Sequence, residues 1–97
     1  MKTVLITGSS SGIGLGIARE FAKTKQFNII FNGLEANGPE IANEIGKEFG
    51  IGTMFSNANM LKPEELRKMV DDGIAKFGKI DVLVNNAGIQ HVSAIED

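Results

Sequence analysis

The chain has 97 residues, which is room for one small domain and no more. It is 42% hydrophobic and 23% charged, which excludes compositional disorder and a membrane class. A net charge of −2 excludes the concentrated basic face of a nucleic-acid binder. The absence of Cys removes disulfides, thiolate zinc sites and cysteine nucleophiles together. No segment approaches the roughly 18 consecutive apolar residues of a membrane span. Met1–Gly8 also lacks the apolar stretch and small-residue cleavage site of a secretory leader, so a cytoplasmic location is expected.

Periodicity then alternates between strand and helix. Thr3–Thr7 is a short, mostly apolar run closed by Gly8, as for a strand covered on both faces. Ile13, Ile17 and Phe21, with Ala18 and Ala22 beside them, recur at helical spacing. Asn28–Asn32 reads as a second strand stopped by Gly33. Pro39 suits a first helical position, and Ile41, Ala42, Ile45 and Phe49 form the stripe of a second helix ended by Gly50 and Gly52. Thr53–Ser56 is a weak third strand. Pro63, Glu64 and Glu65 open a third helix, the acids complementing its dipole. Leu66, Met69, Val70, Ile74 and Phe77 form its stripe, and Gly78 stops it. Ile80–Val84 is a fourth strand.

The order is β-α-β-α-β-α-β across residues 1–97. Crossovers that contain a helix imply a parallel sheet with helices on its faces. A right-handed, Rossmann-like half-fold implies strand order 3-2-1-4.

The segment Thr7-Gly8-Ser9-Ser10-Ser11-Gly12-Ile13-Gly14 joins the first strand to the first helix. Gly8 can turn the strand through angles denied to other residues. Gly12 admits a diphosphate close to the backbone, and Gly14 lets the helix lie near the strand. The helix start offers unpaired N–H groups to an anion, and the serines add hydroxyls, one of them a candidate N-cap. The spacing is G-x-x-x-G-x-G and lacks a Walker lysine. Strand four ends in Asn85-Asn86-Ala87-Gly88. In a 3-2-1-4 sheet both motifs meet at the topological switch point, where open α/β sheets bind ligands.

Thr7–Gly14 and Asn85–Gly88, with Asp81-Val82-Leu83-Val84 before the latter, resemble the short-chain dehydrogenase/reductase family. Gly88-Ile89-Gln90-His91, Gly14–Ala18 and Asn32-Gly33 are most similar to its bacterial D-3-hydroxybutyrate dehydrogenases. The resemblance covers the whole chain but only the N-terminal part of such an enzyme. It implies that Gly8, Ser10, Ser11, Gly12, Ile13 and Gly14 hold the diphosphate and ribose of a dinucleotide. Asn85, Ala87 and Gly88 would line its adenosine side. Asn59 stands where the family places an acid that reads the adenine amino group, and a neutral amide there accepts more weakly. Gln90 matches a residue that holds the substrate carboxylate. No Lys or Arg lies in the glycine loop or in Asn32–Asn37, so a 2′-phosphate would face Glu35 uncompensated and NAD is preferred over NADP. His91, the single histidine, reads as structural or solvated, and no group shows metal-ligand spacing.

The family's catalytic Ser, Tyr and Lys lie downstream of these motifs, and the chain contains no Tyr. No catalytic residue is assigned. The chain reads as the NAD-binding part of an oxidoreductase whose full-length activity is hydride transfer between NAD and a 3-hydroxy acid. The hydroxy acid becomes a partner only once a C-terminal segment completes the site. Two other readings stand beside this one, a non-catalytic nucleotide-binding or interaction module and a degenerate product without activity. Strand four is expected as a free edge that invites self-association.

Overall fold

The computed structural model describes residues 1–86 and a strand at 91–94. The order is β1 (Lys2–Ile6), α1 (Gly12–Thr24), β2 (Phe27–Asn32), α2 (Gly38–Phe49), β3 (Thr53–Ser56), α3 (Pro63–Phe77), β4 (Val82–Asn85) and β5 (His91–Ala94). The four parallel strands take the expected order, extended by one: β3-β2-β1-β4-β5. Register sets Val4 beside Ile29 and Val82, and Ile6 beside Phe31 and Val84.

Two cores follow from the period-2 alternation of side chains in the strands. Val4, Ile6, Ile29, Phe31 and Val84 face α1 and α2, where they bury Ala18, Ala22, Ala42 and Ile45. Leu5 and Ile30 point to the other face and pack with Ala58, Met69 and Ile80 beneath α3. Among the described residues, no helix is long and apolar enough to cross a membrane.

Three details depart from the sequence reading. Ile13 is 66% exposed, and Gly14, Ala18 and Ala22 form the buried face of α1. The stripe is rotated by about one residue because small side chains let the helix lie close on the sheet. Ile74 is likewise 41% exposed at the margin of α3. The fourth strand begins at Val82 rather than Ile80 because Asp81 bonds β1 through its side chain as well as its backbone. Its Oδ2 accepts the Thr3 N–H at 2.8 Å and its own N–H donates to the Thr3 carbonyl at 2.8 Å.

β4 is not a free edge. β5 returns antiparallel along it, pairing Asn85 with His91 and Val82 with Ala94, so the exposed β4 edge on which self-association was expected is absent. A four-residue strand of mixed polarity carries too short an alternation to be read from sequence, and His91 sits at its start. Ala87, Gly88 and Gln90 lie outside the described residues.

Candidate functional site

The site grows from the end of β1. Gly8 and Gly12 hold φ of 61° and 58°, left-handed values that a Cβ disfavours. They fold the loop back so that α1 starts against β1. Gly14 makes the closest approach, since a Cβ there would collide with the Gly8 carbonyl and stand 2.8 Å from Asn86 Nδ2. Ser11 occupies the N-cap position without capping the helix through its side chain. No acid occupies the first turn of α1, whereas Glu40 opens α2 and Glu64 and Glu65 open α3. The positive end of the α1 dipole is therefore unopposed from within its own helix, as an anion site requires.

Side chains from three strand ends hold this loop. Thr7 N–H donates to the Val84 carbonyl at 3.0 Å, and Thr7 Oγ1 accepts the Asn86 N–H at 2.9 Å and donates to Asn85 Oδ1 at 3.2 Å. Asn86 Nδ2 donates to the Gly8 carbonyl at 3.1 Å. The glycine loop and the end of β4 are thus one hydrogen-bonded unit. On the other side, Asn32 is buried to 2% exposure. Its Oδ1 accepts the Gly8 N–H at 3.1 Å, while Nδ2 donates to the carbonyls of Ser56 and Ala58 at 3.2 and 3.1 Å. Ser9 completes the link, donating from Oγ to the Ile6 carbonyl at 2.7 Å and accepting the Asn32 N–H at 3.0 Å.

Glu35 closes the arrangement. Its carboxylate accepts the Ser10 hydroxyl through Oε1 and the Ser11 hydroxyl through Oε2, the latter at 3.0 Å. The Ser10 hydroxyl is the foremost cause holding this carboxyl below its usual range, followed by its own backbone N–H and then Ser11. Gly33 makes room for the contact, because a Cβ there would collide with Ser10 Oγ.

Between the loop, residues 32–35 and residues 58–61 lies a cavity of about 390 Å3. It contains Gly8, Ser11 and Asn59 of the expected set, with no lysine or arginine in its lining. Leu34 and Leu61 flank it, 75% and 89% exposed. Asn59 Oδ1 accepts the Leu61 N–H at 2.9 Å, and its backbone N–H donates to Glu65 Oε1 at 2.8 Å, so the Asn59 amide also shapes its own turn. A larger depression of about 440 Å3 runs along β3 and α3 and contains no residue of either motif. The glycine loop lines the smaller one through Gly8 and Ser11, and the end of β4 reaches it only through its hydrogen bonds to that loop.

Sequence reasoning placed Thr7 and Asn86 within the two motifs without giving their side chains a role, set Glu35 only against a 2′-phosphate, and gave no site role to Asn32, Leu34 or Leu61. Exposed leucines within a polar loop were the available signal. Asn32 gave none, because its partners lie 24 and 26 residues away.

A parallel sheet with a glycine loop and an open helix start at its switch point defines a nucleotide-binding α/β protein. The family model for short chain dehydrogenase matches residues 2–97, and the chain belongs to that family. It is 48% identical, over a 99-residue alignment, to D-beta-hydroxybutyrate dehydrogenase of Cupriavidus necator, covering 99% of this chain and 37% of that protein. The enzyme of the same name from Rhizobium meliloti is 46% identical, with 99% and 38% covered. L-sorbose reductase of Gluconobacter frateurii, solved in complex with NADPH and L-sorbose, superposes with a TM-score of 0.83 at 36% identity, covering 97% of this chain and 36% of that one. The chain therefore spans little more than a third of the relatives it matches.

Proposed function

We propose that residues 1–97 form the dinucleotide-binding domain, the N-terminal part, of a short-chain oxidoreductase that transfers hydride between NAD and a 3-hydroxy acid such as 3-hydroxybutyrate. The observation that carries this is the meeting of Gly8, Ser11, Asn32, Glu35 and Asn59 around one cavity at the carboxyl ends of the strands. The residues fit the group. Gly8, Ser10, Ser11, Gly12, Ile13 and Gly14 would hold the diphosphate at the α1 start, with Asn59, Asn85, Ala87 and Gly88 on the adenosine side and Gln90 toward the substrate. The exposed Leu34 and Leu61 provide apolar flanks for a base. The bound dinucleotide supplies the hydride-accepting ring. This chain binds and orients it, but its sequence holds no Tyr to hand a proton to a carbonyl.

Glu35 supports NAD over NADP. It presents an ionised carboxylate beside Ser10 and Ser11, and no cation lines the cavity to offset a 2′-phosphate. The NADPH of the sorbose reductase complex belongs to that protein's own site. Fluorescence titration of the 97-residue chain with NADH and NADPH tests this. NADH is expected to bind at least about tenfold tighter, a difference of ~1.4 kcal/mol, with no turnover of 3-hydroxybutyrate. Equal affinities would remove the NAD assignment, and binding of neither would remove the domain's role. Adding a C-terminal segment that carries Tyr-x-x-x-Lys should restore activity.

A further inference from the structure

At the amino ends of the strands, opposite the glycine loop, a cleft of about 410 Å3 is lined by Met1, Lys2, Lys25, Gln26, Phe27 and Lys79. Its volume lies within the usual range for small-ligand sites, ~300–1,000 Å3. Three of these residues are lysines and none is acidic, although the chain as a whole carries a net charge of −2. Asp81 stands 3.5 Å from Lys79 and offsets one of the three charges. Its other oxygen is engaged by the Thr3 N–H.

The lining is held by the sheet. Lys2 pairs with Phe27 across β1 and β2, and Lys2 N–H donates to the Gln26 carbonyl at 3.2 Å. Phe27 packs edge-on against Phe21 with ring centroids 4.9 Å apart, which gives the cleft a fixed apolar wall. Lys25 is the telling residue. It closes α1 at φ 57° and ψ 24°, the one non-glycine with positive φ among the described residues, whereas α2 and α3 close on Gly50 and Gly78. A lysine at a backbone conformation where glycine is easier, beside two further lysines of the same cleft, points to use of its side chain. Favourable charge at the helix C-terminus does not require it, because Lys23 already stands in the last turn of α1.

We propose that this cleft binds a small multivalent oxyanion, a molecule bearing two or more phosphate groups, held by Lys2, Lys25 and Lys79 against the Phe27 ring. The site is separate from the dinucleotide cavity and independent of its assignment. The test is an amide-resolved NMR titration of the whole chain with inorganic pyrophosphate at low salt. Saturable shifts are expected at Lys25, Gln26 and Phe27, weakening as salt is raised. The double variant Lys25→Gly/Lys79→Gln should bind about tenfold more weakly, the loss of two exposed charge contacts. Lys25→Gly alone should raise the melting temperature by relieving the backbone while it weakens binding, a pairing that a purely structural lysine would not show. Shifts confined to Gly8–Gly14, failure to saturate, or a double variant that binds as tightly as the parent would each overturn the proposal.

Discussion

The two ends of the sheet solve the same problem with different chemistry. At the amino ends, strands are tied by Asp81, which accepts the Thr3 N–H, and by Asn28, whose Oδ1 accepts the Gly52 N–H at 3.1 Å. Lysines collect around them. At the carboxyl ends, the ties are amides and hydroxyls without net charge: Asn32 to Gly8, Ser56 and Ala58, Thr7 to Asn86, and Asn86 to Gly8. Neutral ties satisfy the buried backbone without adding a charge of their own at the α1 start, where the proposed diphosphate would bind. Two carboxylates join these ties: Glu65, which accepts the Asn59 N–H, and Glu35, which accepts the Ser10 and Ser11 hydroxyls and on the proposed reading discriminates between NAD and NADP.

The sharpest way to break this contrast is Gly14→Val. The new side chain would meet the Gly8 carbonyl and Asn86 Nδ2, forcing α1 from the sheet at a cost of about 1–3 kcal/mol or more. Urea unfolding should show that loss together with loss of NADH binding, and an unchanged midpoint would mean that the close approach is dispensable. Asn32→Ala comes next. It strands the Gly8 N–H and the Ala58 carbonyl, while the Ser56 carbonyl keeps the Gly33 N–H, a cost of about 1–3 kcal/mol. Dinucleotide affinity should fall with stability, whereas a fall in stability alone would separate the tie from the site.

The amino end should respond to acid. The Thr3 N–H foremost, aided by Lys79 and Lys2, holds the Asp81 carboxyl below its usual range against the opposing effect of desolvation. Its contribution is therefore complete above the unfolded-state value of about 3.9 and is lost as pH falls through the lower folded value. Thermal melts from pH 6 downward should show this loss in the parent and a flatter profile in Asp81→Asn. The smallest effect on stability is expected from Glu35→Gln, which removes an exposed charge. Its readout is the ratio of NADPH to NADH affinity, which should rise several-fold. An unmoved ratio would take discrimination away from Glu35.

Much of this was legible in the chain. The helix starts at Pro39 and Pro63, the left-handed Gly50 and Gly78 that end them, and the position of Gly8–Gly14 are written in residues with local conformational preferences. The burial of Gly14 in place of Ile13 was less legible. A stripe of large residues and a stripe of small ones fit neighbouring faces of the same helix, and only contact with the sheet selects between them. Asn59 was read as an acceptor for a ligand, yet its Oδ1 also accepts from Leu61 two residues on.

By itself, the sequence determined the alternation of elements, the parallel order of four strands and the loop that marks the switch point. These follow from periodicity and glycine placement, which act over a few residues. Only the tertiary structure decided that Glu35 reaches Ser10 and Ser11, that Asn32 ties three segments, that Asp81 secures β1, and that β5 covers β4. The Glu35, Asn32 and Asp81 contacts join partners 24 to 78 residues apart, and the β5 pairing depends on a neighbouring strand already in place. Such interactions exist only once the sheet has brought their partners together, and no local pattern encodes them.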